Sequence, residues 1–480
     1  MATTSVDPKS NHLPRGQACF SCRRRKMRCD GVHPICGQCT SARRDADCEY
    51  VHGQKRARAE MLQESIGQIE RRIYELEHPD LNHQPGVVLR QPYPSGTVGS
   101  PLQSSNYAQW AADEPPRDMV QKLVDFFLAY SSEVGFFLNA SRFRESALLR
   151  HPIGHPSRPS PALLWTVYLW GLRLSKQPEL IALEPVFLSR ALNLAGNGLS
   201  GLHPQKVMHT LQAEILVAYY FFASGRFLEG KYHTASAVSL ALSSGLHMIR
   251  SANIPSSVLP PSQDAIEEGE RIHACWAVII LDRSWAAVLG EQAHLEHRQQ
   301  IDTPWPLEMD DYGKGLFTRT ALYINTLHKF LDGTPTSDTG MSTIAMLSKA
   351  SVLWQRADAL ARDWLPHMTR SQSTAFQDSF ETLDSNVENF RAALIPPNHI
   401  SNLTPAMMRA WVVAHSIAHT ATIKLQSIAP LQVETRARQK RLVAATAVMN
   451  IIVSGLMQHF GFINPIMGVR RTNRTFIFRS

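Results

Sequence analysis

The sequence predicts a mostly α-helical protein. A small cysteine-cluster module comes first, then a short coiled coil, a linker and a large all-α domain. Three observations carry this. Six of the seven cysteines lie between Cys19 and Cys48. From about residue 118 onward apolar residues recur at helical spacing, as at Val120, Leu123, Val124 and Phe127. No alternating strand pattern dominates, and no fixed repeat period is evident.

The chain has 480 residues, which argues for two or three folding units, and 44% hydrophobic residues, enough for a core. Its net charge is +8. Nearly all of that excess sits between Arg15 and Arg58, where basic residues far outnumber Asp30, Asp45, Asp47 and Glu49. A compact basic block favours a polyanion, and nucleic acid is the commonest one. Residues 1–16 form a leader without the apolar stretch of a secretory signal. Clustered cysteines without secretion read as metal binding, not as a disulfide framework.

The cysteine module spans residues 17–50. Its spacing is Cys19-x2-Cys22-x6-Cys29-x6-Cys36-x2-Cys39-x8-Cys48. Thiolates suit zinc in a closed tetrahedral site. Six ligands cannot close two separate four-coordinate sites, so either two thiolates bridge both metals or one metal is incomplete. Bridged, six thiolates and two Zn²⁺ carry a net −2, which the nearby Arg and Lys offset. A short helix is expected across RRRKMR, between Cys22 and Cys29, with its cations outward. Asp30 and Gly31 would end it, and Pro34 would shape the loop to the second half. Cys36 to Arg43 repeats the plan with fewer cations, so the first half reads as the DNA-facing one.

A basic bridge follows at 51–60. Residues 61–78 then show heptads, with Leu62, Ile69 and Leu76 at d and Ala59, Ile66 and Ile73 at a. Leu62, Ile66, Ile69, Ile73 and Leu76 are the expected dimerisation residues, with Arg72 reaching the partner's Glu77 in a parallel pair. The alternative is a short amphipathic helix that packs on its own domain. Pro79 stops the helix, and 79–117 reads as a flexible linker rich in Pro, Gly, Ser and Gln.

The helical domain is expected over 118–466. Its periodic segments lie near 161–174, 183–195, 203–224, 228–248, 267–289, 317–331, 341–362, 372–396, 404–428 and 436–459. Leu442 to Val469 lacks Lys, Arg, Asp and Glu, but Thr446, Asn450, Ser454 and Gln458 place a polar stripe on one face. A helix buried in a soluble domain is therefore expected there, no other stretch reads as a span, and no membrane partner is expected.

The cysteine pattern, the basic run after the second cysteine and the Pro before the fourth closely resemble the fungal zinc binuclear cluster family of transcription factors. The resemblance implies two Zn²⁺ per chain, with Cys19 and Cys36 bridging and Cys22, Cys29, Cys39 and Cys48 terminal. It also implies a nuclear protein that reads CGG-like triplets in double-stranded DNA through the first helix and its end. Of the DNA-binding set Arg23, Arg24, Arg25, Lys26 and Arg28, Arg25 and Lys26 would meet bases, while Arg23 and Arg28 would hold phosphates.

The resemblance continues beyond the linker, in Gly225 to Gly230, Ala235 to His247, Glu270 to Trp276, Leu281-Asp282-Arg283 and Ile301 to Pro306. These are similar to the family's middle homology region, which implies regulation by a small-molecule or protein effector. Trp276, Ile279, Ile280 and Trp285 read as core, and Asp282-Arg283 as an ion pair or cap. Two features invite an enzyme reading. His415 and His419 stand one turn apart but lack the intervening Glu of a metalloprotease, and Cys275 sits in an apolar segment as a buried thiol. No phosphate-binding glycine loop or serine nucleophile elbow is present, so no enzymatic activity is expected. Residues 467–480 end in VRRTNRTFIFRS, where the resemblance implies one more apolar helix. The rival reading is a helical ligand-binding or scaffold protein with a purely structural zinc module.

Overall fold

The computed structural model describes residues 17–48, 50, 114–252, 259–295, 299–316, 321–334, 338, 340–365, 368–400, 402–429, 434–453 and 460–468. The leader, the basic bridge, the heptads and most of the linker and C-terminal tail lie outside them. The chain divides into two compact units, one within 1–97 and one within 98–480.

The first unit contains α1 (Phe20–Arg24), α2 (Gly37–Ser41) and a 3-10 turn at Asp45–Asp47. The second contains α3 (Arg117–Leu128), α4 (Ala140–Ala147), α5 (Pro161–Leu174), α6 (Pro178–Ile181), α7 (Glu184–Gly196), α8 (Lys206–Ala223) and α9 (Phe227–Ser243). After these come α10 (Ala265–Leu289), α11 (Met309–Gly313), α12 (Thr326–Leu331), α13 (Thr343–Asp363), α14 (Arg370–Ala393), α15 (Pro397–Ile400), α16 (Pro405–Gln426) and α17 (Glu434–Val453). Among the described residues there is no β-strand, only an isolated bridge between Ser251 and Tyr323.

Local chemistry sets several helix starts. Asn139, Ser160, Asp264, Ser342 and Thr404 each accept the amide three residues on, and Pro161 and Pro405 follow two of those caps at the first helical position. Thr369 and Gln372 form a reciprocal capping box on α14.

α10 organises the packing. Ile272, Trp276 and Leu281 join the core built with α3, α5, α8 and α9. Its other face, with Ile280 and Ala287, joins a second cluster with α13, α14 and α16. α3 crosses α5 at Gly171, where any Cβ would stand 2.4 Å from the Leu123 carbonyl oxygen. α10 is long and apolar enough to cross a membrane, a feature the sequence reading overlooked, but 89% of that apolar window is buried inside the domain.

The fold class matches the expectation, with local corrections. Of the helix expected over 317–331, residues 321–325 are not helical and Thr326–Leu331 are. Tertiary bonds hold this stretch. The Tyr323 amide donates to the Arg250 carbonyl, and the Asn325 amide donates to buried Asp302 at 2.7 Å. The short helices α4, α6, α11 and α15 fall below the length at which periodicity is readable. α17 buries the side that carries Ala437, Ala444 and Ile451 and leaves Thr446 and Asn450, of the expected polar stripe, exposed.

Candidate metal centre and nucleic-acid interface

All six cysteines of the first unit are buried and none forms a disulfide. The sulfurs of Cys19, Cys22, Cys36 and Cys39 lie within 4.8 Å of one another. Cys19 to Cys36 is 3.7 Å, Cys22 to Cys36 3.6 Å, Cys19 to Cys39 3.8 Å and Cys22 to Cys39 4.0 Å. A tetrahedral zinc with Zn–S bonds of about 2.3 Å places its sulfurs roughly 3.8 Å apart, so this donor set fits zinc. Cys36 also groups with Cys29 and the Asp30 carboxylate, and its amide donates to Cys48 Sγ at 3.2 Å. Among the described residues no other His, Cys, Asp or Glu cluster could share an ion.

The local fold explains the convergence. Cys19 and Cys36 are the N-caps of α1 and α2, and each sulfur accepts the amide three residues on, from Cys22 and Cys39. Burial raises the Cys19 thiol, but the Cys22 amide and the neighbouring thiols outweigh it and leave it below its ordinary value. Cys36 behaves likewise: burial is outweighed by the Cys39 amide and by the Cys39 and Cys22 thiols. Burial and its thiol neighbours push Cys22 up.

The expected helix across RRRKMR is corrected. α1 starts earlier, at Phe20, and stops at Arg24. Lys26 adopts a left-handed backbone at φ 53°. Its amide returns to the Arg23 carbonyl and that of Met27 to the Cys22 carbonyl, which is a Schellman closure. Sequence reasoning missed both ends, because sulfur replaces the usual oxygen cap and a lysine occupies the place where glycine is common. The second half repeats the geometry 17 residues on, with Arg43 at φ 52° and the Arg44 amide returning to Cys39. Arg23, Arg24, Arg25, Lys26 and Arg28 are all exposed.

Asp30 does more than follow the third cysteine. Its carboxylate accepts the amides of Val32 at 3.3 Å and Gly37 at 2.9 Å, tying the inter-half loop to the start of α2. Tyr50, which the sequence reading passed over, packs against His33 with tilted rings whose centroids lie 3.8 Å apart. Its hydroxyl donates to the Val32 carbonyl at 3.0 Å and lies 3.6 Å from Cys29 Sγ.

In the helical unit His415, His419 and Cys275, which invite an enzyme reading, are all buried. His415 Nε2 donates to the Ile395 carbonyl at 2.8 Å, and burial holds His419 down at about 4. Burial pushes the Cys275 thiol up to about 12. Asp282 holds the loop after α10 by accepting the His294 amide, the Leu295 amide and His294 Nδ1, all near 3 Å. Arg283 instead reaches Gln355 at 3.2 Å, so these two neighbours anchor different segments. Trp276 stacks on Trp305 at 4.2 Å and donates to the Pro304 carbonyl, which gives the Ile301 to Pro306 motif a packing role.

Residues 136–392 match the Fungal specific transcription factor domain, and residues 17–58 match the Fungal Zn(2)-Cys(6) binuclear cluster domain. The first match covers more than half of the chain, so the chain belongs to the fungal-specific transcription factor family. The two domains together are those of a zinc-binding, DNA-binding transcription regulator. One relative is Transcription factor FBD3 of Gibberella moniliformis, 36% identical over 76 residues, which is 16% of this chain and 10% of that protein. The chain thus matches about a tenth of that relative's length. No solved structure matches.

Proposed function

We propose that this protein is a sequence-specific, zinc-dependent DNA-binding transcription factor that acts in the nucleus on RNA polymerase II genes and reads CGG-like triplets. One observation carries the reading: six buried, converging sulfurs sit directly beside five exposed cations at Arg23, Arg24, Arg25, Lys26 and Arg28. Cys19, Cys22, Cys29, Cys36, Cys39 and Cys48 would hold two Zn²⁺, with Cys19 and Cys36 bridging. Cys36 belongs both to the four-sulfur group and to a group with Cys29 and the Asp30 carboxylate, which supports a bridging role for Cys36. When bound, the ions cross-link the two halves and neutralise thiolate charge.

The chain's own residues do the reading. α1 and its left-handed end present Arg25 and Lys26, whose cationic heads suit guanine O6 and N7 in the major groove. Arg23 and Arg28 set register through phosphates, and these contacts make affinity fall with salt. The heptads at Leu62, Ile66, Ile69, Ile73 and Leu76 would pair two chains and so fix half-site spacing. The 118–466 domain would receive an effector, and no catalysis is assigned to it.

The test uses the full chain purified with zinc. Metal per chain is counted, and a duplex carrying CGG triplets is titrated against a scrambled one at physiological salt. Two zincs and a preference for CGG that disappears in Arg25→Gln/Lys26→Gln, with metal retained, support the reading. Unchanged DNA binding in that variant would instead support the scaffold reading.

A further inference from the structure

α17 buries one side and leaves the other open. Ala437, Ala444 and Ile451, seven residues apart, form the buried seam. Lys440 pins the helix to α14 by reaching Asp384 at 2.7 Å and Glu388 at 2.5 Å. On the opposite side Leu442 is 67% exposed, Val443 55%, Met449 52% and Val453 70%. Leu442, Met449 and Val453 follow steps of seven and four, the spacing of a helix seam, with the exposed polar Thr446 and Asn450 beside them. Arg438 lies one step of four before Leu442, and Arg436 lies seven before Val443, so both cations border the same face. Both are exposed and have no carboxylate partner among the described residues. Arg441 is by contrast satisfied by Glu434 at 2.7 Å.

We propose that this outer face of α17 docks an acidic amphipathic helix from a partner protein. The apolar seam takes the partner's leucine-type side chains, and Arg436 and Arg438 take its carboxylates. Charge selects this occupant. A second copy of α17 laid parallel would set Arg436 and Arg438 against themselves, and laid antiparallel would bring them no acid. Size argues the same way. A 20-residue helix is about 30 Å long and about 10 Å wide, so one face offers roughly 300 Å². A stable dimer buries about 800 Å² per partner. A strip of this size fits the helix-on-face mode of transient regulatory contacts. The proposal adds a protein partner to the DNA-reading function and does not depend on the zinc module.

The test measures fluorescence anisotropy with the full chain. Two synthetic amphipathic helices serve as probes, with the same leucine seam and either glutamates or lysines elsewhere. The acidic probe should bind saturably and the basic one at least about tenfold more weakly. Leu442→Asp/Met449→Asp should abolish binding. Arg436→Glu/Arg438→Glu should weaken the acidic probe and strengthen the basic one, a reversal that misfolding cannot produce. Affinity for CGG-bearing DNA should stay unchanged in both variants, which separates this proposal from the DNA-reading one. Three results would overturn it: no saturable binding of the acidic probe, equal binding of both probes, or a sedimenting dimer that Leu442→Asp/Met449→Asp dissociates.

Discussion

Arg409 and Glu133 meet across 276 residues of sequence, Nε to Oε1 at 3.0 Å, with both side chains more than nine-tenths buried. The other Glu133 oxygen accepts the Asn464 amide at 3.0 Å, and Arg409 also donates to the Ala129 carbonyl at 2.9 Å. Phe462 closes the same junction, edge-on to Tyr130 and Trp170. Glu133, Arg409 and Asn464 all lie outside the 136–392 match. The folded helical body therefore includes segments on both sides of that match, joined through one buried charge pair.

Removing one partner of such a pair leaves a buried charge uncompensated and typically costs about 3–5 kcal/mol. Glu133→Leu and Arg409→Met should each destabilise the full chain by that order in urea unfolding. The double variant, with neither charge left behind, should cost much less than the sum. Single variants that lose under about 1 kcal/mol would show that solvent reaches the pair.

Lys26 carries a left-handed backbone, which costs an L-residue about 1 kcal/mol relative to glycine. Lys26→Gly should therefore raise the thermal stability of the zinc-loaded protein slightly while it weakens binding to CGG-bearing DNA by about tenfold or more. Stability and recognition would move in opposite directions. A variant that loses both would mean that the lysine side chain also holds the module together.

Gly37 packs against Asp30 so closely that a Cβ would stand 2.5 Å from Oδ2. Gly37→Ala should push Asp30 away, break its bond to the residue 37 amide and loosen the joint between the two halves. Zinc should then pass to a chelating dye faster than in the wild type. Adding Asp30→Ala removes the clash but not the lost bond, so it should restore little. Equal release rates in wild type and Gly37→Ala would show that the joint yields without cost.

Legibility in the sequence followed the range of the interactions. The cysteine spacing and the long helices α5, α8, α10, α13 and α16 were readable, because caps and apolar periodicity act within a few residues. The true ends of α1 were not, since Cys19 caps with sulfur and Lys26 stands where glycine would announce a stop. The non-helical 321–325 stretch was hidden as well, because Asp302 and Arg250 override its helical pattern from far along the chain. The Glu133–Arg409 pair has no local signal at all, since either residue alone reads as an ordinary surface charge. In α17 the polar stripe was readable and its described members Thr446 and Asn450 are exposed, but the exposure of Leu442, Met449 and Val453 was not, since apolar residues beside such a stripe ordinarily pack inward.

Glu270 makes the fold sensitive to pH in a direction opposite to an ordinary carboxylate. Burial pushes it up to about 7, although the Asn139 amide donates to it at 2.8 Å and Arg142 lies nearby; Glu267 and Asp264 add to the rise. A folded value above the unfolded one means that the folded state holds the proton more tightly. The associated stability is complete below the unfolded value of about 4.5 and is lost as pH rises through about 7. The loss amounts to at most about 3 kcal/mol. Glu270→Gln keeps the shape and can still accept from Asn139, but it cannot ionise. It should match the wild type in urea midpoint at pH 5 and exceed it at pH 8. A gap that does not change between those two pH values would show that Glu270 ionises in the folded protein as readily as in the unfolded chain.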